Sequence, residues 1–322
     1  MRYRTLGSSD LVVSEIGVGT WQNVTTADQA RTDRLVHTAL DEGITFFDTA
    51  NSYADAPEAL ARALRTTPRD RYVLSTKLYF PSADQDRAGL GERQIAAGVR
   101  ECLRRMGTDY VDLLTAHRFD PHTPLAETLS AIAACVRAGT VRHYGFSEWT
   151  AEQIASAAAM AEYLGLPAPV GNQPQYSVLW RVPEAAVVPT CQRLGIGQVA
   201  FWALAQGMLS GKYRAGLTPE PGTRAADPHR RSLMDHLMLD EVLDRVALFD
   251  RLARRQGLTC AQLALAWVLH RPGVSSTLVG VSSPEQVREN AGAAGVFLSA
   301  ATLELIDKLF AGCVHTDVAA TG

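Results

Sequence analysis

The feature that most constrains the fold of this chain is a repeated alternation between short β-rich runs and longer stretches of helical periodicity. Eight apolar runs occur, at residues 16–18, 46–47, 72–75, 111–114, 143–146, around 170, 198–201 and 277–279. Most are followed by a polar loop and then by apolar residues with amphipathic helical spacing. Strands that alternate with helices predict a parallel sheet. Eight such units without a break in composition predict an α/β fold, a closed (β/α)8 TIM barrel.

The helical stretches are predicted from their apolar spacing and their glycine terminators. They cover residues 27–42, 58–65, 92–106, 125–138, 150–164, 183–194 and 284–294, and Gly43, Gly107 and Gly139 are each placed to end one. Residues 3–13 predict an N-terminal β-hairpin. The interval 202–276 predicts a loop, exposed and mobile at 219–228, and extra helices at 239–256 and 259–270. A last helix at 300–310 is predicted to cover one side of the barrel.

The chain has 322 residues, a usual length for one barrel domain, so we expect residues 1–322 to form a single domain. A doubly wound Rossmann sheet is the competing architecture. Its G-x-G-x-x-G fingerprint is matched only in part, because Gln22 stands where the third glycine would follow Gly17 and Gly19. A dinucleotide bound by this chain would therefore need another binding device.

Composition argues against several functional classes. The formal net charge is −3 and no block of basic residues occurs, so neither nucleic acid nor a membrane surface is an expected partner. The five cysteines are scattered without a C-x-x-C pair, which argues against a disulfide scaffold or a metal site. Neither a secretory signal nor an apolar stretch of about 18 residues is recognisable, so a cytoplasmic protein is expected.

Four ionisable side chains follow the second, third and fourth apolar runs, where a barrel places its chemistry. Asp48 and Tyr53 follow the second run, Lys77 the third and His117 the fourth. Each alone has a structural interpretation: a turn cap, a loop aromatic, a surface charge, or an imidazole bonded to the backbone. Because neighbouring parallel strands end at one mouth of the barrel, we expect the four side chains to meet there.

Together the four residue types suit the reduction of a carbonyl group. A cofactor must supply a hydride to carbon, and the protein must supply a proton to oxygen. A tyrosine hydroxyl can be this acid, although its ordinary pKa is about 10. An ammonium at Lys77 would lower that pKa, Asp48 would pair with the ammonium, and His117 would orient the substrate oxygen. Tyr53 is thus the predicted general acid.

These residues lie in motifs that resemble the aldo-keto reductase superfamily: FDTANSY at 47–53, STK at 75–77, and DYVDLL at 109–114 running into HRFD at 117–120. The resemblance covers nearly the whole chain and implies an NADP(H)-dependent reductase. Residues 117–128 are similar to the branch that includes potassium-channel beta subunits and many bacterial reductases. Those subunits carry Asn where this chain has His117, and the histidine favours a catalyst.

The resemblance also implies a cofactor site at the carboxyl ends of the strands. It assigns the cofactor's carboxamide to Ser147 and Gln173 and the stacking of the nicotinamide to Phe201, with Asp48 nearby. The other implied positions are Gly19, Thr20, Trp21, Leu204, Gln206, Gly207, Ser210 and Lys212 along the cofactor, and Arg224, Gly280, Ser282, Gln286, Glu289 and Asn290 at its adenosine end.

An arginine and a serine at the adenosine end imply a grip on a 2′-phosphate, and hence NADP(H) rather than NAD(H). From the residues alone, the favoured interpretation is a solvated loop charge at Arg224 and a helix cap at Ser282 and Ser283. Three departures from the family pattern lie near this mouth. Glu148 stands where many members have Asn, Trp202 begins a Trp-Ala pair in place of Ser-Pro, and Ala54 replaces a glycine.

Aromatic side chains near the expected mouth predict an apolar substrate pocket, with Trp21 as the strongest candidate. The others are Tyr79, Phe80, Phe119, Trp149 and Trp180. Because large aromatic side chains are usually mostly buried, about half of the set are expected to pack in the core or on the surface instead. The leading hypothesis is reversible reduction of a small aldehyde or ketone with NADPH. Two alternatives stay open: a reductase of a nucleotide-sugar or secondary-metabolite ketone or enone, and a cofactor-binding regulatory subunit with little turnover. Oligomerisation is compatible with all three.

Overall fold

Two antiparallel strands, β1 (Tyr3–Thr5) and β2 (Val12–Ser14), precede eight parallel strands that pair in chain order and close into a barrel. The computed structural model describes residues 1–82, 87–232 and 234–317. The barrel strands are β3 (Ile16–Gly19), β4 (Phe46–Asp48), β5 (Val73–Leu78), β6 (Val111–Ala116), β7 (Val141–Ser147), β8 (Gly171–Gln173), β9 (Gly197–Ala200) and β10 (Val274–Val279). The predicted TIM barrel with an N-terminal hairpin is confirmed.

One helix follows each strand from β3 to β8: α1 (Gln29–Asp41), α2 (Ala56–Leu64), α3 (Glu92–Met106), α4 (Leu125–Arg137), α5 (Ala151–Tyr163) and α6 (Val187–Arg193). After β9 come α7 (Pro228–Arg231), α8 (Asp240–Arg255) and α9 (Cys260–Leu269), and after β10 come α10 (Pro284–Ala291) and α11 (Ala300–Phe310). The predicted extra helices towards the C-terminus are therefore present. Among the residues described, no helix is both long and apolar enough to cross a membrane.

Local signals in the sequence set several helix boundaries. Thr150 and Thr259 each close a capping box with the glutamine three residues later, at the starts of α5 and α9. Gly107 ends α3 at a φ of 59°, in the left-handed conformation that glycine adopts without strain. These boundaries fix how long each loop at the barrel ends can be.

Several predicted elements differ from the structure. The sixth strand is not centred on Val170 but runs over Gly171–Gln173, because its residues are polar or small although all are buried. The predicted helix at 183–194 begins only at Val187, after a 3₁₀ turn at Val182–Glu184. The segment 219–228 is not a plain loop, since it contains a 3₁₀ turn at Arg224–Ala226 whose central residue is buried.

Helix α11 packs against α8, an extra helix outside the strand-linking series. The rings of Phe249 and Phe310 lie 5.5 Å apart, and Arg245 Nη1 donates to the carbonyl of Leu309 at 2.6 Å. The last helix is therefore present and packs on α8, and its covering one side of the barrel stays a prediction.

The hairpin closes the amino end of the barrel. One apolar cluster joins it to the strand starts and consists of Leu6, Leu11, Val13, Phe46, Leu113, Val199 and Leu278. Arg4 crosses the same end, where Nε donates to Glu15 Oε1 at 2.7 Å and Nη1 donates to the carbonyls of Leu269 and Val274 at 2.8 Å. The carboxyl end is consequently the end at which a site can open.

Candidate active site

The four predicted catalytic residues meet at the carboxyl end of the barrel. Asp48 ends β4, Lys77 lies in β5, and His117 directly follows β6. The buried Lys77 ammonium donates to Asp48 Oδ2 and, at 2.9 Å, to the carbonyl of Thr49. It lies 5.1 Å from the ring centroid of Tyr53, which lies 5.9 Å from that of His117. The four side chains therefore form one contiguous group.

Burial and charge act in opposite directions on the phenol and the ammonium. Burial raises the pKa of Tyr53 above its ordinary value of 10.0 and outweighs the lowering by Lys77. The lowering of this pKa by Lys77, which the sequence predicts, is present, but desolvation is the larger effect. Burial alone would lower the pKa of Lys77, but Asp48 and then Tyr53 more than offset it, so that pKa is raised. At neutral pH the site thus holds a protonated phenol beside a charged ammonium.

His117 is held in its neutral form. Burial lowers its pKa well below the ordinary 6.5, and the charges of Lys77 and Arg118 lower it further. Its Nδ1 is buried and has no hydrogen-bond partner among the residues described. Buried polar atoms are normally paired, so this nitrogen is a point where a polar ligand atom is expected.

Two of the predicted cofactor residues, Ser147 and Gln173, lie beside the same group. Gln173 Nε2 donates to Asp48 Oδ1 at 3.1 Å, and Ser147 Oγ donates to the carbonyl of Gln173 at 2.9 Å. On the other side of Asp48, Gly19 of β3 is paired with Asp48 in the parallel register of β3 and β4. The backbone amide of Thr20 donates to the backbone carbonyl of Asp48 at 3.0 Å. Asp48 thus connects the lysine to residues of β3 and β8, and Ser147 of β7 joins the group through Gln173.

Three aromatic side chains and an arginine form one wall of the mouth. The ring centroids of Phe201 and Trp202 are 5.5 Å apart, and those of Trp202 and Trp21 are 6.1 Å apart. The Arg224 guanidinium lies 5.8 Å from the centroid of Trp21. The wall therefore runs without a break from the predicted nicotinamide-stacking residue to the predicted phosphate-binding arginine.

The predicted cofactor residues that follow Trp202 form a tight, irregular loop. The amide of Gly207 donates to the carbonyl of Leu204 at 2.9 Å, and Ser210 Oγ donates to the carbonyl of Gly207 at 2.7 Å. A methyl group added at Gly207 would lie 3.2 Å from Lys212 Nζ, so this ammonium covers the glycine. Gln206 is buried, and neither Nε2 nor Oε1 of its side-chain amide has a hydrogen-bond partner among the described residues.

The predicted adenosine end is less closely assembled. Gly280 and Ser282 precede α10, whereas Gln286, Glu289 and Asn290 lie on it. Ser282 uses both its amide and its hydroxyl to donate to Gln286 Oε1, at 2.9 and 3.0 Å. Within residues 1–82, 87–232 and 234–317, no hydrogen bond or ion pair joins any of these five residues to Arg224.

All of the non-glycine residues with left-handed φ in the described chain lie just after strand ends at this mouth. They are Gln22 (65°), Ala54 (36°), Glu148 (57°), Trp202 (54°), Ala205 (45°) and Gln206 (61°). Three of them, Ala54, Glu148 and Trp202, are the departures from the family pattern. Glycine and asparagine tolerate this backbone best, which is a physical reason why glycine is usual at position 54 and asparagine at position 148. Strained backbone of this kind concentrates at functional sites.

The structure also gives Glu148 and Trp202 definite contacts. Glu148 Oε1 accepts a hydrogen bond from the amide of Gln175 at 2.7 Å, and burial raises the pKa of this carboxyl. Trp202 stands between the rings of Trp21 and Phe201 and is partly exposed.

The predicted pocket aromatics divide into two groups. Trp21 is partly exposed on the wall just described, and Phe80 lies with its ring 5.0 Å from that of His117 and 5.1 Å from that of Tyr79. Trp149, in contrast, is buried and stacks on Phe146 at 4.2 Å, with Phe119 packed on its edge. Trp149 therefore fits the expectation that some of these aromatics pack in the core. Trp180 packs at 5.1 Å on His315, near the C-terminus.

The sequence analysis missed Arg105, a buried residue of α3 that donates to backbone carbonyls next to Tyr53. The sequence does indicate that Arg105 is buried, because Arg105 lies on the same apolar stripe of α3 as Ile95, Val99 and Cys102. A charged residue at a core position of an amphipathic helix needs a buried partner.

Comparisons with known proteins identify the family to which this barrel belongs. Residues 15–311 match the model of the aldo/keto reductase family. A probable voltage-gated potassium channel subunit beta of Arabidopsis thaliana is 34% identical over 302 residues, which are 92% of each chain. L-glyceraldehyde 3-phosphate reductase of Escherichia coli (strain K12) is 33% identical over 300 residues, 90% of this chain and 86% of the relative. The chain therefore belongs to the aldo/keto reductase family.

Proposed function

We propose that this chain is an NADP(H)-dependent oxidoreductase that reduces the carbonyl group of a small aldehyde or ketone to an alcohol, with Tyr53 as the general acid. The observation that carries the proposal is the buried Lys77 ammonium, which contacts the Asp48 carboxylate and lies against the Tyr53 phenol. A buried ammonium that is paired in this way stays charged and can stabilise a phenolate. We further propose that residues 1–322 form one domain.

The proposed proton transfer follows from the charges of the group. Because the pKa of Tyr53 is raised, its hydroxyl keeps its proton through the neutral range and can donate it to the carbonyl oxygen. Bound NADPH would supply the hydride to the carbonyl carbon. The resulting phenolate would lie beside the Lys77 ammonium, which Asp48 holds in place. Neutral His117, with its unpaired Nδ1, would hydrogen-bond the substrate oxygen and orient it.

Observations on the described residues support the fit of a nicotinamide cofactor. The Ser147 and Gln173 side chains lie beside Asp48, where a carboxamide could exchange hydrogen bonds with them. The unpaired amide of Gln206 offers a buried donor and acceptor further along the mouth. Phe201 would stack on the ring, and Arg224 and Lys212 supply two cations for phosphate groups.

The second candidate function, a cofactor-binding regulatory subunit, is favoured by the likeness to proteins named as potassium channel beta subunits. His117 argues for the enzyme, since a neutral imidazole beside a protonated phenol is suited to orient a carbonyl oxygen. The likeness to L-glyceraldehyde 3-phosphate reductase makes phosphorylated and hydroxylated aldehydes sensible members of a substrate panel.

The test combines a panel of aldehydes and ketones, followed by NADPH absorbance, with the Tyr53→Phe variant. We expect the variant to keep its NADPH affinity and to lose about 10²–10⁴-fold in kcat, since it lacks the proton donor. Tyr144→Phe is the matched control, because it removes another buried tyrosine hydroxyl, which donates to the carbonyl of Pro167 at 2.7 Å. Undiminished turnover by Tyr53→Phe would refute the acid. NADPH binding without turnover of any carbonyl would favour the regulatory subunit.

A further inference from the structure

The Arg105 guanidinium bridges the backbone on both sides of Tyr53. From α3, Nη1 donates to the carbonyl of Asn51 at 2.5 Å and Nη2 donates to the carbonyl of Ala54. These carbonyls belong to the residue two before the tyrosine and the residue one after it. Arg105 is 9% exposed, so these bonds are shielded from water and stronger than their exposed equivalents.

A glutamate fixes the orientation of this guanidinium. Arg105 Nε and Nη2 donate to the two carboxylate oxygens of Glu58 in α2, at 2.7 and 2.9 Å, in a two-point fork. Glu101, one turn earlier on α3, lies 3.5 Å away. With one edge of the planar group taken by a carboxylate, the remaining donors are directed at the loop. A lysine could not make these contacts together, because its ammonium has no such fixed geometry.

The loop between β4 and α2 needs this support because it is anchored unevenly. Ahead of the tyrosine, the Asn51 amide donates to the carbonyl of Lys77 at 3.2 Å. Directly behind it, Ala54 is exposed and has a left-handed φ of 36°, a conformation that costs a non-glycine residue about 1–2 kcal/mol. The residue after Ala54 is anchored again, because the Asp55 carboxylate accepts a hydrogen bond from the backbone amide of Thr26 at 2.7 Å. The Arg105 bond to Ala54 falls on the strained residue between these anchors.

We infer that Arg105 is a positioning residue for Tyr53: by binding the carbonyls of Asn51 and Ala54 it holds the phenol against Lys77 and under the substrate oxygen. The inference rests on the proposed function, since it assumes that Tyr53 is the acid. A proton donor must sit within about 3 Å of its acceptor, and a misplacement of about 1 Å can cost on the order of 10²-fold in rate. Arg105 itself touches neither substrate nor cofactor in this arrangement.

The decisive experiment is a double-mutant cycle between Arg105→Lys and Tyr53→Phe. We expect Arg105→Lys to lower kcat by on the order of 10²-fold while the Kd for NADPH is unchanged. In the Tyr53→Phe background the same substitution should leave kcat unchanged, because no acid remains to be misplaced. Equal loss in both backgrounds would overturn the inference. Failure of Tyr53→Phe alone to lower kcat would instead refute the proposed function.

A pH profile supplies a readout that a merely structural role would not move. In the alcohol-oxidation direction, kcat rises with pH as Tyr53 loses its proton. Burial raises the pKa of Tyr53 and Lys77 lowers it, so a phenol that stays buried but moves away from the ammonium would have a higher pKa. We therefore expect Arg105→Lys to move this inflection to higher pH, and an inflection that stays in place would contradict the inference.

Arg69→Lys is the matched control at the other end of the barrel. Arg69 also bridges two carbonyls and a carboxylate: those of Tyr72 and Tyr110, at 2.9 and 3.1 Å, and Asp112 Oδ2 at 2.6 Å. It lies near the starts of β5 and β6, far along both strands from the mouth. We expect Arg69→Lys to lower stability and to keep kcat per folded molecule and its pH profile.

Glu58→Gln keeps the inference testable if Arg105→Lys does not fold. It retains an oxygen that can accept a hydrogen bond but removes the charge that holds one edge of the guanidinium. Glu58 is partly exposed, so the fold should tolerate the change better than a substitution of Arg105. We expect a smaller fall in kcat, about 5-fold, that again disappears in the Tyr53→Phe background. Persistence of the fall in that background would contradict the inference.

Discussion

The two ends of the barrel are built from the same strands but differ in how their side chains are satisfied. At the amino end, Phe46 of β4 is enclosed by the hairpin, and Arg4 and Arg69 bind carboxylates and carbonyls. At the carboxyl end, two residues later on β4, Asp48 lies in a group where His117 Nδ1 and the Gln206 amide have no partner among the described residues. The left-handed non-glycine residues lie only at this second end of the described chain.

The difference shows how one fold separates stability from chemistry. Closing the amino end with apolar packing and satisfied ion pairs stabilises the barrel as a whole. Left-handed non-glycine backbone destabilises it, and in the described chain this backbone is confined to the end where a ligand and a reacting tyrosine have to be held. The comparison therefore predicts that substitutions at the two ends change different measured quantities.

The largest expected effect on stability is at the amino end. Phe46→Ala removes a fully buried ring from the hairpin cluster and should lower the free energy of unfolding by about 3–5 kcal/mol, through lost burial and the cavity left behind. At temperatures where the variant stays folded, kcat per folded molecule should match the wild type. Chemical denaturation and turnover normalised to bound NADPH measure the two quantities. A fall in normalised kcat would show that the ends are not separable.

The second prediction concerns ligand affinity at the carboxyl end. Arg224→Ala should weaken NADPH binding by about 10- to 100-fold and leave NADH binding unchanged, since a charged hydrogen bond to phosphate is worth about 1.5–3 kcal/mol. Fluorescence titration with each cofactor measures this, with Arg214→Ala on the neighbouring exposed surface as the control. Equal weakening of NADPH and NADH would remove the proposed 2′-phosphate role.

Much of the fold could be predicted from the sequence, but the position of one strand could not. The runs that begin at residues 16, 46 and 111 become strands, and the helices predicted at 92–106 and 300–310 have those bounds, because apolar spacing and terminators act locally. The sixth strand differs from its predicted position because Asn172 and Gln173 are polar yet buried. Burial of a polar strand depends on its neighbours, which local pattern does not record.

The same division holds inside the site. The meeting of Asp48, Tyr53, Lys77 and His117 followed from topology, because parallel strands end together. The upward shift in the pKa of Tyr53 did not, since the balance of burial against charge requires coordinates. The contact of Arg105 with the tyrosine loop joins residues about fifty positions apart, and a helix pattern shows only that a charge occupies an apolar stripe.

The third prediction tests the cost of keeping the carboxyl end functional. His117 has a folded-state pKa below its unfolded value of about 6.5, so the unfolded chain binds the extra proton first as pH falls. Its contribution to stability is complete above that value and is lost as pH falls below it, by at most about 1.4 kcal/mol per pH unit. His117→Asn, which cannot titrate, should show a smaller loss of unfolding free energy between pH 7.5 and about 5. An unchanged loss would mean that other groups dominate acid sensitivity.

The smallest expected effect isolates the strained backbone. Ala54→Gly relieves a left-handed φ worth about 1–2 kcal/mol but increases the freedom of the unfolded chain by about 0.4–1 kcal/mol. We expect the free energy of unfolding to rise by up to about 1 kcal/mol. Ala61→Gly in α2 is the control, where φ is helical and the same change should lower stability by about 1 kcal/mol. Because both variants delete the same methyl group, opposite signs would assign the difference to backbone conformation. Matching losses would mean that the mouth carries no strain at Ala54, and the contrast between the barrel ends would then rest on the other left-handed residues of the mouth.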